Sequence, residues 1–255
     1  MRQKISVVIN TYNAERHLGQ VLDSLTGFDE VVVCDMESTD STRDIVKDYG
    51  CKIITFPKNE HKICEPARDF AIHSATYEWV LVVDADEIVP TSLREYLYQC
   101  IGNPDFNYAL AIPRINRFLG GEATGSPDYQ LRFFRQQSAV WPPIIHARPM
   151  IDGPIKYIPA KREYSLIHLD DPSLSQRISK MNIYTDYEVP KRLNKNYGIF
   201  KMIFRPIWFF LKSYVFGGGF KDGKRGVINA YMASTYQIML LSKLYEEKMI
   251  KSLRN

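Results

Sequence analysis

The sequence predicts an α/β fold with a mostly parallel central sheet, helices on both of its faces and a C-terminal helical extension. Three observations predict it. Short runs rich in Val and Ile alternate with amphipathic helical patterns over the first hundred residues. The runs SVVI, EVVVC and WVLVV are almost continuously apolar, as strands covered on both faces must be. Polar turns recur directly after those runs, and the alternation itself requires crossover connections, which make neighbouring strands parallel.

Taken in order, residues 5–9 form a strand, 14–25 a helix, 30–34 a second strand and 39–49 a second helix. A third strand at 51–56, a helix at 65–75 and a fourth strand at 79–83 follow, with another helix beginning near Thr91. Strand character returns at 109–112, 129–134 and 156–158, separated by a Gly-rich loop at 120–125 and a Pro-rich loop at 141–143. A polar helix is expected over 173–187, interrupted by Pro190. The aromatic run at 200–220 is divided by Pro206 and stopped by the glycines at 217–219, and a last helix spans 227–248.

Composition narrows the class. The 255 residues are 45% hydrophobic and 24% charged, enough apolar surface to offset the entropy of ordering the chain. The formal charge of +4, from 33 basic and 29 acidic residues, is too small a surplus for a polyanion binder, so no nucleic-acid partner is expected. The N-terminus lacks the pattern of a signal peptide, and no segment reaches the roughly 18–20 uninterrupted apolar residues of a membrane span, so a cytoplasmic location is expected. Cys34, Cys51, Cys64 and Cys100 follow neither zinc nor disulfide spacing and read as ordinary thiols.

Ligands of such sheets collect at the carboxyl ends of the strands, where three polar turns fall. In LVVDADE, Asp84 and Asp86 follow a buried strand, and residues two apart can point to one side. One carboxylate then suits a divalent ion, with Asp86 preferred, and Asp84 suits a ribose, a water or the same ion. Such an ion can bridge the oxygens of a nucleotide diphosphate and make it a viable leaving group. Glu87 suits either this group or the start of the next helix.

In VVINTYNAERHL, Thr11 and Asn13 can hydrogen-bond to a base or ribose, and Tyr12 supplies an apolar platform. The helix after them offers free backbone N–H groups to an anion, although Asn13 also fits a simple cap. In VVVCDMESTDST, Asp35 can accept from a ribose hydroxyl or base N–H, while Ser38, Thr39 and Asp40 shape and cap the turn. Arg68, one helical turn beyond Glu65, can pair with that carboxylate or reach an acidic turn or a phosphate.

With SVVINTYN at 6–13, VVVCDMESTDST at 31–42, EPARDFAI at 65–72, VVDADE at 82–87, DYQLRFFR at 128–135 and the stretch 212–230, the chain closely resembles the inverting glycosyltransferases of family two, especially the branch similar to lipopolysaccharide-core β-glucosyltransferases. The resemblance implies a nucleotide-diphospho-sugar transferase fold, a donor that is usually a UDP-sugar, Mn2+ or Mg2+ as cofactor, and inversion at the anomeric carbon. It places Asp35 and the 11–13 turn beside the nucleoside and Asp86 on the metal. Two positions depart from the family pattern: Met36 stands where a second Asp is frequent, and Ala147 follows His146 where many relatives carry Glu. Met36 cannot accept the hydrogen bond a carboxylate would make to uracil.

The implied chemistry is an in-line displacement by an acceptor hydroxyl, assisted by a base. Asp128, His146 and Asp152, in the acceptor half, are the candidates, with pairing to a nearby cation the alternative use of Asp128 and a core hydrogen bond that of His146. His168 suits the metal or a structural role, and Arg132 and Arg135 suit the diphosphate, an anionic acceptor or surface pairing. Residues 1–170 form the expected catalytic domain, and 171–255 a helical extension facing the acceptor or a membrane. The aromatic run with Lys201, Arg205 and Lys212 fits peripheral membrane contact or a protein-docking helix, the latter including a homo-oligomer. A carbohydrate or lipid-linked glycan is the expected acceptor, in cell-envelope polysaccharide synthesis. A metal-dependent nucleotidyltransferase and a noncatalytic polysaccharide-assembly protein are the competing readings; the first lacks an early Gly-rich basic loop to cradle a triphosphate.

Overall fold

The computed structural model describes residues 2–59, 64–123, 127–143 and 148–254. The strands are β1 (Ile5–Thr11), β2 (Glu30–Asp35), β3 (Lys52–Thr55), β4 (Trp79–Asp84), β5 (Glu87–Ile88), β6 (Ala109–Ile115), β7 (Arg117–Phe118), β8 (Gly121–Glu122), β9 (Asp128–Arg135), β10 (Ala139–Val140), β11 (Met150–Ile151), β12 (Ile155–Tyr157) and β13 (Leu166–His168). The helices are α1 (Glu15–Ser24), α2 (Thr42–Asp48), α3 (Glu65–His73), α4 (Thr91–Gly102), α5 (Leu174–Arg192), α6 (Ile199–Leu211) and α7 (Lys224–Arg254). The main sheet runs β3-β2-β1-β4-β9-β6-β13-β5, with β12 also on β6. Strands β1 to β4 are parallel, β9 is antiparallel to both β4 and β6, and β13 is parallel to β6.

Alternating side chains of the central strands enter two separate cores, which is why their sequences are apolar throughout. Ile5, Val7 and Ile9 of β1 pack with Leu18 and Val21 of α1 and Leu93 and Leu97 of α4. Val8 points the other way, toward Ala67, Ala71 and Ile72 of α3. The small residues at 67 and 71, one turn apart, let α3 approach the sheet closely. The predicted α/β fold with a largely parallel sheet and C-terminal helices is the observed one.

The chain divides into two compact units. The first is the sheet and its helices, from the N-terminal segment to Ile115 and from Pro127 to Leu169; the second combines the loop beginning at Asn116 with everything from Asp170 onward. In the second unit α5 starts at a capping box, Ser173 Oγ accepting from the Gln176 amide and the Gln176 side chain from the Ser173 amide. Two expectations need correction here, since neither Pro190 nor Pro206 ends its helix. Each removes one backbone hydrogen bond, but tertiary packing offsets the loss. Val189 packs on Leu240 and Leu244 of α7, Pro206 is itself buried, and Arg205 Nε donates to Gln237 Oε1 at 2.7 Å. The glycines do stop the aromatic run, with Gly218 in the left-handed region at φ 74°.

Candidate active site

Because β1, β2, β4 and β13 run the same way, their carboxyl ends bring Thr11, Asp35, Asp84 and His168 to one edge of the sheet. The antiparallel β9 begins at that edge, so Asp128 joins them opposite Arg114. Asp152 does not. Its amide donates to the Ser138 carbonyl beyond the far end of β9, where Arg135 pairs with Glu78, so the structure sets Asp152 and Arg135 at the opposite edge. His146 and the neighbouring Ala147 lie outside the described residues.

At the centre is a network of three arginines and three carboxylates. Arg68 Nη2 donates to Asp84 Oδ1 and Arg132 Nη2 to Asp84 Oδ2, both at 2.6 Å. Arg114 donates through Nε and Nη2 to Asp128 Oδ2, at 3.1 and 2.8 Å, and through Nη1 to Glu87 Oε1 at 3.1 Å. Burial opposes the charge on Asp84, but Arg132 and Arg68 outweigh it and hold the carboxyl well below the usual range. Glu87 goes the other way: its burial and the Asp84 charge raise it against the pull of Arg132 and Arg114. With both oxygens of Asp84 occupied by guanidinium groups, the carboxylate anchors arginines; a ribose would have to displace one of them. Glu87 does not cap α4 but receives the Asp84 amide at 3.0 Å.

Trp141 lies under this network, its ring 4.9 Å from the Arg68 guanidinium and 5.7 Å from that of Arg132. Several buried polar atoms here have no hydrogen-bond partner among the described residues: Arg68 Nη1, Arg132 Nε and Nη1, Trp141 Nε1 and both side-chain heteroatoms of Asn10, the residue in register with Asp84. Unsatisfied buried donors are costly, and their concentration beside one acidic turn marks a place built for more than packing.

Asp86 stands apart from the arginines. Its Oδ2 is 3.2 Å from His168 Nε2, and its carbonyl accepts from the Leu169 amide at 2.7 Å. Burial works against a charged His168, yet the hydrogen bond and charge of Asp86 lift it above the ordinary imidazole value. Among the described residues no three His, Cys, Asp or Glu side chains stand close enough to enclose a metal ion. The Asp86 and His168 pair is nonetheless a chemically suitable partial set, since Mg2+ and Mn2+ sites commonly take one or two protein ligands and complete their shell with water and phosphate oxygens.

The two nucleotide-side turns are tied to each other. Asp35 is fully buried and accepts from Thr11 Oγ1, from the Ser38 amide and hydroxyl, and from Arg43 Nη1 at 3.4 Å. Enclosed this way, Asp35 shapes the turn; reaching a ribose would require displacing Ser38. Asn13 takes the left-handed φ of 48° that Asn tolerates, and its Oδ1 accepts from the Thr39 amide at 2.8 Å. The amides of Ala14 and Glu15 donate to Thr42 Oγ1 and Asp40 Oδ2, so those N–H groups are not free for an anion. Tyr12 remains exposed, with Lys58 Nζ 4.1 Å from its ring centroid. Met36 is buried among Cys34, Ala67 and their neighbours. Cys34 beside it is an inert thiol, pushed up to about 12 by burial.

Sequence reading missed Arg114 and the place of Glu87. The available signal was a lone Arg in the apolar strand ALAIPRI, which had to meet an acid or be expelled from the sheet. Arg132 required tertiary information, because it sits where the register of β6 and β9 shifts and that irregularity turns its side chain toward Asp84.

Residues 6–150, more than half of the chain, match the family model "Glycosyl transferase family 2". The chain belongs to that family. As a family 2 glycosyltransferase it acts on nucleotide-sugar donors. Over 260 residues it is 25% identical to the lipopolysaccharide core biosynthesis glycosyltransferase LpsC of Rhizobium meliloti, covering 98% of this chain and 95% of that one. The structure of the Pyrobaculum calidifontis mannosyltransferase PcManGT, in complex with GDP-Man and Mn2+, superposes with a TM-score of 0.55 at 16% identity, covering 97% of this chain and 88% of that one. Residues 1–349 of Staphylococcus aureus TarS superpose with a TM-score of 0.52 at 18% identity, covering 92% of this chain and 81% of that one. At these identities the structural likeness is one of fold.

Proposed function

We propose that this family 2 glycosyltransferase moves a sugar, with inversion, from a nucleoside-diphosphate donor to a hydroxyl of a glycan or lipid-linked acceptor in cell-envelope polysaccharide synthesis. The observation that carries the reading is the pairing of Asp86 with His168 at the carboxyl edge, beside but outside the arginine network. Full-length likeness to LpsC supports the envelope setting, and the GDP-Man and Mn2+ of PcManGT support a metal-assisted donor. Asp86 and His168 would hold Mn2+ or Mg2+, which when bound neutralises charge on a departing diphosphate.

The chain's own residues do the remaining work. The 11–13 turn receives the nucleoside, with the exposed Tyr12 ring against the base. Arg68 and Arg132, oriented by Asp84, set a positive field behind the diphosphate. The acceptor oxygen forms the new bond to the anomeric carbon as the bond to the diphosphate oxygen breaks, and the hydroxyl proton passes to a base. Asp128 is our assignment among the described candidates, since it alone is at the correct edge; a hydroxyl reaching it would displace Gln130 from Oδ1 or share Oδ2 with Arg114.

The test is a screen of UDP- and GDP-sugars with Mn2+ or Mg2+ against envelope glycan acceptors, with the product anomer read by NMR. Transfer should stop on chelation, return with metal and be lost in Asp86→Ala. A turnover unchanged in Asp86→Ala, or a product that retains the donor's anomeric configuration, would refute the assignment.

A further inference from the structure

The second unit carries a surface that the transfer chemistry does not use. One side of α6 packs on α7, through the buried Pro206, the Arg205 to Gln237 bond and the Phe210 ring 5.2 Å from Tyr231. The other side is apolar and open. Phe200, Ile203, Phe204, Ile207, Trp208 and Leu211 recur at alternating spacings of one and three, which places them on one continuous arc of the helix. Phe200 is 74% exposed, Phe204 60% and Trp208 53%. Phe216 and Phe220, in the turns that follow, are exposed as well.

Charge identifies what this face fits. Residues 191–225 contain nine Lys or Arg and a single acid, Asp222. Lys201 and Lys212 are exposed and, at helical spacing, fall beside the Trp208 edge of the arc. A second copy of the same face would bring like charges together, whereas a lipid surface offers hydrocarbon to the rings and phosphates to the lysines. No helix among the described residues is long and apolar enough to cross a membrane, and the 13 residues of α6 reach only about 20 Å, so this helix can lie in an interface but not span it. We propose that α6 and the turns after it bind the headgroup region of an anionic bilayer. The inference goes beyond the transferase reading, because lipid binding is measured without any donor.

Flotation of the full chain with phosphatidylglycerol-containing vesicles tests it. Trp79 and Trp141 are buried, which leaves Trp208 as the reporter: its emission should shift to the blue on binding and be quenched by brominated lipid. Binding should weaken with salt and on pure phosphatidylcholine. The double variant Phe200→Ser, Phe204→Ser, at two exposed positions, should melt like the parent yet lose at least about tenfold in vesicle affinity. Lys201→Glu with Lys212→Glu should lose the preference for anionic lipid. Absence of flotation, a double Phe variant that floats like its parent, or equal partition to neutral vesicles would overturn the proposal. So would a dimer broken by the Phe substitutions in a chain that ignores vesicles, which would assign the face to a second copy.

Discussion

Replacing Asp84 by Asn keeps the shape of the side chain and removes the charge that two buried guanidinium groups share. Arg68 and Arg132 each donate to it at 2.6 Å and Arg114 Nη1 is 3.9 Å away, while of the other two acids of the network Asp128 pairs with Arg114 and Glu87 lies 3.1 Å from Arg114 and 3.8 Å from Arg132. Three arginines would then face two carboxylates in a largely buried space. Breaking a buried pair from one side costs about 3–5 kcal/mol, because the partner's charge is left uncompensated. For a unit of this size that is a drop of roughly 6–20 °C in melting temperature. Asp86, two residues on, is the internal control: it is partly exposed and, among the described residues, pairs with His168 alone, so Asp86→Asn should cost about 1 kcal/mol or less while abolishing metal-supported transfer. Urea titration read by tryptophan fluorescence separates the two, since Trp141 sits under the affected arginines. The folded pKa of Asp84 is depressed, so its contribution is present above the unfolded carboxylate value, near about 3.9, and is lost only as pH falls through the folded value. The gap between parent and Asp84→Asn should therefore persist at mildly acidic pH. Equal stabilities for the two Asn variants would refute the division of labour between Asp84 and Asp86.

Further outcomes follow from other parts of the molecule. Glu87→Gln should cost less than half as much as Asp84→Asn in the same titration, because a raised folded pKa means that ionised Glu87 opposes the fold. Asp40→Ala removes the acceptor for the Thr42 amide and hydroxyl and the Glu15 amide, so a loss of about 1–2 kcal/mol is expected. Burial raises the Asp40 pKa but those hydrogen bonds lower it further, so this contribution should fade as pH falls through the folded value, an effect visible in an acid titration of parent against variant. Gly226→Ala would set a Cβ 1.7 Å from the Gly219 carbonyl oxygen, forcing α7 away from the glycine turn; a loss of about 1–3 kcal/mol or more is expected by thermal melting.

The parallel core was legible because its rule is local: a strand covered on both faces must be apolar at every position, and SVVI, EVVVC and WVLVV satisfy that without reference to anything distant. The edge carrying Thr11, Asp35 and Asp84 was legible for the same reason, since polar residues directly after such strands can lie nowhere else. The proline breaks were not, because local propensity counts the lost hydrogen bond and cannot count the face of α7 that holds both helices. Nor was the distance of Asp152 from the edge, which depends on β9 running antiparallel and carrying the chain to the other end of the sheet.

From the order of residues alone came the class of fold, the family pattern and the acidic turn at 84–86, all properties of short stretches read by period and chemistry. Which carboxylate is bound to arginines and which stands beside a histidine came from folding, because Arg68, Arg114, Arg132 and His168 reach that turn from four separate segments. A charge close in space but far along the chain leaves no mark on its partner's local sequence, so the different fates of Asp84 and Asp86 emerge only once strands and helix bring those side chains together.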